Sequence, residues 1–330
     1  MKKIKAVALF SGGLDSLLAV KTMLDLQIEM HAITYITPFY MPSRRHIKDI
    51  QEAAGKYGIS LKFKTFGREY IELIKHPRFG YGKNMNACVD CRILMLKEAN
   101  RYLEEIGGQF IITGEVLGER PMTQNKKALM LIERESDLSG KIIRPLSAKV
   151  LKVTIPEENG LVDREKLFGF QGRSRKAQIE LAGSFGIQNY PTPAGGCLLT
   201  DLMFSRKLRD AFKHNECSLR QITILRYGRH FRLKGGAKVT VGRNEKENGI
   251  ILSLSTAEDI CMEVETFVGP IALLQDSRSK DDVRIAASIC LRYSDCPEEK
   301  GNVNYWKDKK KSKSVKVEKI EKKNLDKLRI

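Results

Sequence analysis

Two hydroxyls, a glycine pair and a carboxylate fall within Ser11-Gly12-Gly13-Leu14-Asp15-Ser16. The apolar run from Ile4 to Phe10 precedes them and reads as a buried parallel strand. Leu14 to Leu26 continues with helical periodicity. Glycines at a strand-to-helix turn let backbone N–H groups close on a ligand, and the helix N-terminus adds unpaired donors and partial positive charge. Ser11 and Ser16 flank the turn, and Asp15 can hold a cation or a water. The chemistry this allows is capture of a phosphate chain with a place for magnesium. It is not the Walker arrangement, because no Gly-Lys-Ser/Thr follows. An ordinary glycine-rich turn is the bland alternative, but it does not require strand, glycine pair, Asp-Ser and helix in that order.

A second chemical signal is Asn86-Ala-Cys88-Val-Asp-Cys91-Arg92, opening a helix that runs to Ile106. A CxxC at a helix start has two physical uses. The helix field lowers thiol pKa and favours a thiolate nucleophile, and the spacing lets both sulfurs reach one metal. Two buried cysteines or half of a structural zinc site are the alternatives. A zinc site would show a second CxxC or a Cys/His pair, and His31, His46, His76, His214 and His230 form none. Cys197 is the third thiol of interest, in Ala194-Gly-Gly-Cys-Leu-Leu-Thr200. Glycines after Pro191 and Pro193 predict a tight loop that presents this cysteine, anchored by Leu198 and Leu199; a packed residue is the other reading. Cys217, Cys261 and Cys290 read as core, and Cys296 is uninformative.

These residues must be positioned by a chain of 330 residues, long enough for two or three domains. Val7–Phe10, His31–Ile36, Leu61–Phe66 and Gln109–Thr113 read as strands; Leu14–Leu26, Arg44–Tyr57, Glu69–Lys75 and Arg92–Ile106 read as helices. The alternation predicts βαβ units and a parallel sheet. Ligands of such sheets sit beyond the carboxyl ends of the strands, where the Ser11 and Gly114 loops fall. We expect an α/β parallel-sheet domain over 1–155, a connecting segment over 156–217 that carries Cys197, a smaller α+β domain over 218–300, and a basic tail over 301–330. The formal net charge is +18, which favours a polyanionic partner. About +7 of it lies in Trp306–Ile330, a stretch that could equally be a solvated end. No run of about 18 apolar residues predicts a membrane span. The chain enters its first strand without a secretory pattern, so we expect a cytoplasmic protein with reduced thiols.

The Ser11–Ser16 loop resembles the PP-loop, SGGxDS, of the ATP pyrophosphatase superfamily, whose members split ATP between its α and β phosphates and leave an adenylated substrate. Ile111-Ile-Thr-Gly-Glu-Val-Leu-Gly-Glu-Arg-Pro-Met-Thr-Gln124 resembles the second nucleotide-site segment of 4-thiouridine synthetases, TGExLGQxxSQT, and Ile143-Arg-Pro-Leu146 also fits that family. The Asn86–Arg92 segment is similar to the region around the catalytic cysteine of tRNA 2-thiouridylases. Cys91 matches the active cysteine, Cys88 stands where many members carry Asp, and Cys197 corresponds to their second cysteine. Gly228-Arg-His-Phe-Arg-Leu233 and Val241-Gly-Arg-Asn-Glu-Lys-Glu-Asn248 resemble an NFACT-R-type RNA-binding module. THUMP and rhodanese-like regions, present in some thiouridine synthetases, are not seen, which leaves the sulfur route and the modified position open.

The resemblance implies an adenine nucleotide alpha hydrolase-like fold and an ATP-dependent tRNA sulfurtransferase that activates a uridine carbonyl and replaces its oxygen by sulfur. Ser11, Gly12, Gly13 and Ser16 would bind phosphates, and Asp15 would orient Mg²⁺ or water. Thr113, Gly114 and Glu115 would line the nucleotide site, while Arg120 and Gln124 would contact phosphates or substrate. Cys88, Cys91 and Cys197 would hold a [4Fe–4S] cluster with one iron free; the alternative is a persulfide on Cys91 or Cys197 resolved by its partner. The implied partners are tRNA and a sulfur donor, either sulfide or a persulfide carrier such as a cysteine desulfurase. Arg226, Arg229, Arg232, Arg243 and Lys246 are the candidate RNA contacts. Competing readings are another PP-loop ligase, acting on small-molecule amides or of the lysidine type, and a non-enzymatic RNA-binding protein.

Overall fold

The computed structural model describes residues 3–188, 190 and 196–330. The chain divides at Thr200/Asp201 into two compact units. In the first, apolar and helical stretches alternate as β1 (Lys5–Leu9), α1 (Leu14–Asp25), β2 (Glu29–Ile36), α2 (Arg44–Lys56), β3 (Ser60–Thr65), α3 (Arg68–Lys75), α4 (Cys88–Glu105), β4 (Phe110–Thr113), α5 (Lys126–Glu135), β5 (Ile142–Ile143), α6 (Ile155–Glu158) and α7 (Lys176–Ser184). All five strands pair in parallel, in the order β3-β2-β1-β4-β5. β1 and β4 are nearly continuous apolar runs because helices cover both faces. Phe10, Leu18, Met23, Phe110, Ile112 and Ile143 share one buried cluster there.

This strand order reverses between β1 and β4. At such a reversal the loops leaving two adjacent strands turn to opposite faces and open a crevice at their carboxyl ends. The Ser11 loop leaves β1 and the Gly114 loop leaves β4, so topology alone puts the two nucleotide-type motifs side by side. Helix α4 begins at Cys88, four residues before the expected Arg92, so both cysteines of the CxxC sit in its first turn.

The second unit carries α8 (Leu202–Lys213), α9 (Leu219–Ile224), β6 (Arg229–Arg232), β7 (Lys238–Val241), α10 (Glu245–Ser253), β8 (Ile260–Val264), β9 (Ala272–Gln275), α11 (Lys280–Arg292), β10 (Lys300–Trp306), β11 (Lys313–Glu318) and α12 (Lys322–Leu328). Its six strands form an antiparallel sheet in the order β11-β10-β8-β9-β7-β6. Alternate strand residues point to opposite faces. Met262 and Leu274 join the cluster under α11 with Phe231, Val239 and Ile289, while Cys261 and Leu273 join Ile224, Ile251 and Trp306 on the other side.

Two expectations change. The stretch 156–217 is not a connector: its first part, through Thr200, packs in the first unit, and α8 opens the second. Residues 301–330 are not a solvated tail. Along β11, Ser314, Lys316 and Glu318 face away from Val315 and Val317, so one face packs and the other carries charge. Such a lysine-rich edge strand is protected from pairing with other chains.

Ser147 ties the loops near the crevice together. It is fully buried; its hydroxyl accepts from Leu117 N at 3.0 Å and donates to Phe170 O at 2.6 Å. Ser147→Ala leaves both backbone groups without these partners and is expected to lower unfolding free energy by about 1–3 kcal/mol, measured by urea denaturation. A change within error would show that water replaces the hydroxyl.

Candidate functional site

Gly12 adopts φ +73° with Ile50 of α2 beside it; a Cβ there would lie 2.7 Å from Ile50 Cγ1. Only glycine fits both the left-handed backbone and that gap. Ser16 Oγ donates to Gly13 O at 2.8 Å and lies 3.4 Å from Ser11 Oγ. Gly13 caps α1 without a side-chain acceptor, so the first amides of this helix are left to an anion. Asp15 stands behind them. Its Oδ1 makes no hydrogen bond and lies 3.7 Å from Arg175 Nη2. Burial raises the Asp15 pKa, and the charges of Arg175 and Arg120 offset part of that rise. A half-buried carboxylate with an unbonded oxygen fits a hard cation.

The Gly114 loop abuts this turn. A Cβ on Gly114 would come within 2.5 Å of the Asp15 carbonyl and 2.6 Å of Ser16 N, so the approach of the two loops requires glycine. Glu115 turns inward and is 3% exposed. It accepts from Thr113 Oγ1 at 3.0 Å and Arg144 Nε at 3.0 Å, and pairs with Arg92 Nε at 3.2 Å. Arg144 also pairs with Glu133 of α5. Burial alone would raise the Glu115 pKa; Arg92, Arg144 and the Thr113 hydroxyl outweigh it and hold the group below its ordinary value. Gln124 faces its own loop: Oε1 accepts from Arg120 N at 3.0 Å. It braces the backbone of Arg120.

Cys88 and Cys91 stand in the first turn of α4, and Cys197 comes near them. Leu198 N donates to Phe39 O at 3.1 Å, Met85 N donates to Leu199 O at 3.2 Å, and Asn84 Nδ2 donates to Thr200 O at 2.7 Å. Residues 198–200 are thereby bound both to the loop after β2 and to the segment that leads into α4. Cys88 and Cys197 lie close enough to Cys91 for each to act on it electrostatically. Tyr70 Oη donates to Cys91 Sγ at 2.8 Å, and Tyr70 is itself held between Phe66 and Phe39, at ring distances of 5.7 and 6.0 Å. All three cysteines are free. The Pro191–Gly195 loop expected to present Cys197 lies outside the described residues.

The expected thiolate is not what this helix start produces. Burial pushes the Cys91 thiol up to about 12, against the opposing effects of Tyr70 and Arg92. Burial raises Cys88 and Cys197 as well. Desolvation in this pocket exceeds the pull of the helix terminus. Among the described residues, no three of Cys, His, Asp and Glu are grouped so as to hold a single metal ion. A mononuclear zinc site is therefore not formed among them.

The sequence reading missed Arg175, Glu119 and Tyr70. Arg175 arrives from the segment after Phe170, which runs beside the Gly114 loop: Gly172 N donates to Leu117 O at 2.7 Å. It belongs to the basic, glycine-containing stretch Gly169–Lys176. In the second unit the candidate RNA contacts separate. Arg232 is 12% exposed and pairs with Asp210 and Glu216, so it is a structural ion-pair residue and not an RNA contact. Arg226 is half-buried, whereas Arg243 and Lys246 are exposed.

Two stretches of the chain match known families. Residues 2–155 match the family described as thiamine biosynthesis protein (ThiI). Residues 228–329 match the family described as NFACT protein RNA binding domain. The chain is similar to probable tRNA sulfurtransferases. That of Thermococcus kodakarensis is 31% identical over 149 residues, 43% of this chain and 36% of the relative. That of Lysinibacillus sphaericus is 28% identical over 160 residues, 47% of this chain and 38% of the relative. The chain thus spans under two fifths of the length of these relatives. Among solved structures, a 4-thiouridine synthetase–RNA complex with bound ATP aligns at TM-score 0.40 and 20% identity, covering 63% of this chain and 51% of that one. The U34-tRNA thiolase NcsA from Methanococcus maripaludis with its [4Fe–4S] cluster aligns at TM-score 0.34 and 16% identity, covering 68% and 71%. Arg175 and Cys197 fall between the two family matches, yet pack in the same unit as residues 2–155.

Glu115→Gln removes the buried charge that both arginines share. We expect a loss of about 3 kcal/mol or more by denaturant unfolding, because a buried guanidinium is left uncompensated. The folded-state pKa of Glu115 lies below its ordinary 4.5, so its contribution is full above that pH and is lost as pH falls through the folded value. The variant should therefore lose stability at neutral pH and show a flatter decline in acid. Equal wild-type and variant stability at pH 7 would show that the network is energetically idle.

Proposed function

We propose that this chain is an ATP-dependent tRNA sulfurtransferase that converts a uridine carbonyl to a thiocarbonyl. The observation that carries the reading is that adjacent residues of one loop reach both groups: Gly114 packs on the Asp15–Ser16 backbone, and Glu115 pairs with Arg92, the residue after Cys91. A phosphate-binding turn and a cluster of thiols face one loop, and a reaction needing both could use one substrate atom between them. The names of the relatives support the same activity, and the RNA-binding family match supports an RNA substrate.

Oxide is a poor leaving group, so the carbonyl oxygen must first be activated. In this reading it attacks the α-phosphorus of ATP, the bond to the bridging oxygen breaks, and pyrophosphate leaves. A sulfur nucleophile then adds to the activated ring carbon, and AMP leaves with the former carbonyl oxygen. The free amides of α1 with Ser11 and Ser16 hold the leaving phosphates, and Arg175 and Arg120 offset the charge that develops there. Asp15 is the residue that would hold Mg²⁺, through its unbonded Oδ1, to neutralise pyrophosphate. The target base must be unstacked to reach the crevice, at a cost of a few kcal/mol.

The sulfur route we favour uses a [4Fe–4S] cluster on Cys88, Cys91 and Cys197. Three free thiols held near one another fit its protein ligands, leaving one iron without a cysteine. When bound, such a cluster supplies a hydrosulfide nucleophile. A persulfide on Cys91 is the second route. It is less well supported because this thiol is buried and protonated and meets no general base. It accepts from Tyr70 and points its own proton at the Met95 sulfur. Sulfide or a persulfide carrier would be the donor.

Mass spectrometry of tRNA nucleosides with and without the gene tests the activity. A thiouridine should vanish on deletion and return with the wild-type gene. An unchanged nucleoside profile would overturn the reading. Cys88→Ala, Cys91→Ala and Cys197→Ala should each abolish the product, and each should reduce iron in anaerobically purified protein. Full product without iron would exclude the cluster. Full product in all three variants would show that none of these thiols carries the sulfur.

A further inference from the structure

The second unit contains a cavity of about 220 Å³ whose wall carries Lys207, Arg229, Arg243 and Arg329, together with Gly228 and the buried His230. Of these four cations, Arg243 is paired with Glu247. The other three are held by neutral groups. Lys207 Nζ donates to Leu225 O at 3.2 Å and Gly228 O at 3.4 Å. Arg229 donates to Gly242 O at 3.4 Å and lies 4.6 Å over the Tyr293 ring. Arg329 donates to Tyr293 Oη at 2.7 Å and lies 5.9 Å from the Phe231 ring centre. The carboxylates that act on Lys207 are Glu247, already taken by Arg243, and Asp201, which caps α8 by accepting from Phe204 N at 2.7 Å. Ile330 also lines the cavity and carries an α-carboxylate; against it and Glu247, the four cations still leave an excess of positive charge.

We propose that this cavity seats one phosphoryl group of a bound RNA. The inference rests on the RNA-substrate reading above and adds to it a site and a chemical class. Size decides against a whole nucleotide, since clefts that enclose a drug-sized ligand run to about 300–1,000 Å³. The aromatic faces decide against a stacked base, because a guanidinium already lies over Tyr293 and another near Phe231. Guanidinium and ammonium groups converging on a small space are the complement of phosphate oxygens. Burial and the nearby Arg243 lower the Lys207 pKa to about 8, which an incoming dianion would reverse. Arg226, Arg232 and Lys246 do not line the cavity, so the phosphate contacts are narrower than the basic motif as a whole.

The test uses the full chain and one tRNA transcript prepared with a 5′-monophosphate or a 5′-hydroxyl. Binding is measured over a salt series, with thermal unfolding as the folding control. Lys207→Met is expected to weaken binding about tenfold and to lower the salt slope by about 0.7–0.9; Lys207→Arg should restore most of both. Loss confined to the 5′-phosphorylated transcript places a terminal monoester in the cavity, and equal loss for both places an internal diester there. Either supports the site. If Lys207→Met does not fold, Arg243→Gln, at a side chain 50% exposed, should show the same direction of change. Wild-type affinity and slope in folded Lys207→Met, or in Arg243→Gln where Lys207→Met fails to fold, would overturn the pocket while leaving the thiolation reading intact. Failure of the wild-type chain to bind either transcript would sink both.

Discussion

The Glu115 carboxylate is where three elements of the first unit are joined. It leaves the end of β4, reaches Arg92 one residue after Cys91, and reaches Arg144 just beyond β5. Arg144 passes the charge on to Glu133. A buried pair usually gains little net stability over an apolar packing, because desolvation offsets the Coulomb term. Its worth here is positional. A carboxylate committed to two guanidiniums and a threonine hydroxyl leaves the Gly114 loop and the first turn of α4 little freedom to move apart. The nucleotide turn meets this loop through Gly114, and the thiols meet it through Arg92. Without that shared anion, the two groups of reactive side chains would sit on separately mobile loops.

Burial has opposite consequences for the two groups. At Glu115 the compensating arginines overcome desolvation, so the group stays charged. At Cys91 the single arginine and the Tyr70 hydrogen bond do not, so the thiol stays protonated. Partner number sets the direction of each shift, two guanidiniums and a hydroxyl against one guanidinium and a phenol, and the thiol's ordinary value of 9.0 already favours its protonated form. A protonated, enclosed thiol resists adventitious oxidation, because thiolate character governs that chemistry. It also means that any productive use of these sulfurs requires a partner that takes their protons. Metal binding does this by displacement, and thiols kept protonated by burial are compatible with such a role.

The first unit was legible where local pattern and topology agree. β1, the glycine turn and α1 are contiguous, so this strand–turn–helix unit could be read from one segment. The adjacency of the Gly114 loop followed from the βαβ rule, because both loops leave carboxyl ends of parallel strands. Arg175 was not legible. It lies far along the chain from Asp15 and is delivered by a short backbone pairing of Gly172 with Leu117, a contact without periodicity. The CxxC read as a helix start, and it forms the first turn of α4, although the periodic stretch was read only from Arg92. Residues 306–330 misled for a related reason. Their lysines dominate the composition, but strand β11 needs only Val315 and Val317 on one face to pack.

The charge balance of the second unit shows why net charge is a weak guide to a binding surface. Arg232 and Lys238 are consumed by Asp210 and Glu216, and Arg220 by Asp259. Lys238 is 1% exposed and its ammonium faces Glu216 inside the fold. These cations contribute to the +18 of the chain but little to its external field, since each is matched within contact distance. A polyanion responds to the cations left over: exposed lysines along β11, and the Lys207, Arg229 and Arg329 groups whose nearest partners are carbonyls and rings. The first kind is screened by salt over about 8–10 Å of solvent and attracts without orienting. The second is fixed by carbonyls, rings and, at Arg243, an ion pair, so it can hold a phosphate in one place. Affinity that tracks salt could arise from either, but a defined register on RNA requires the fixed group.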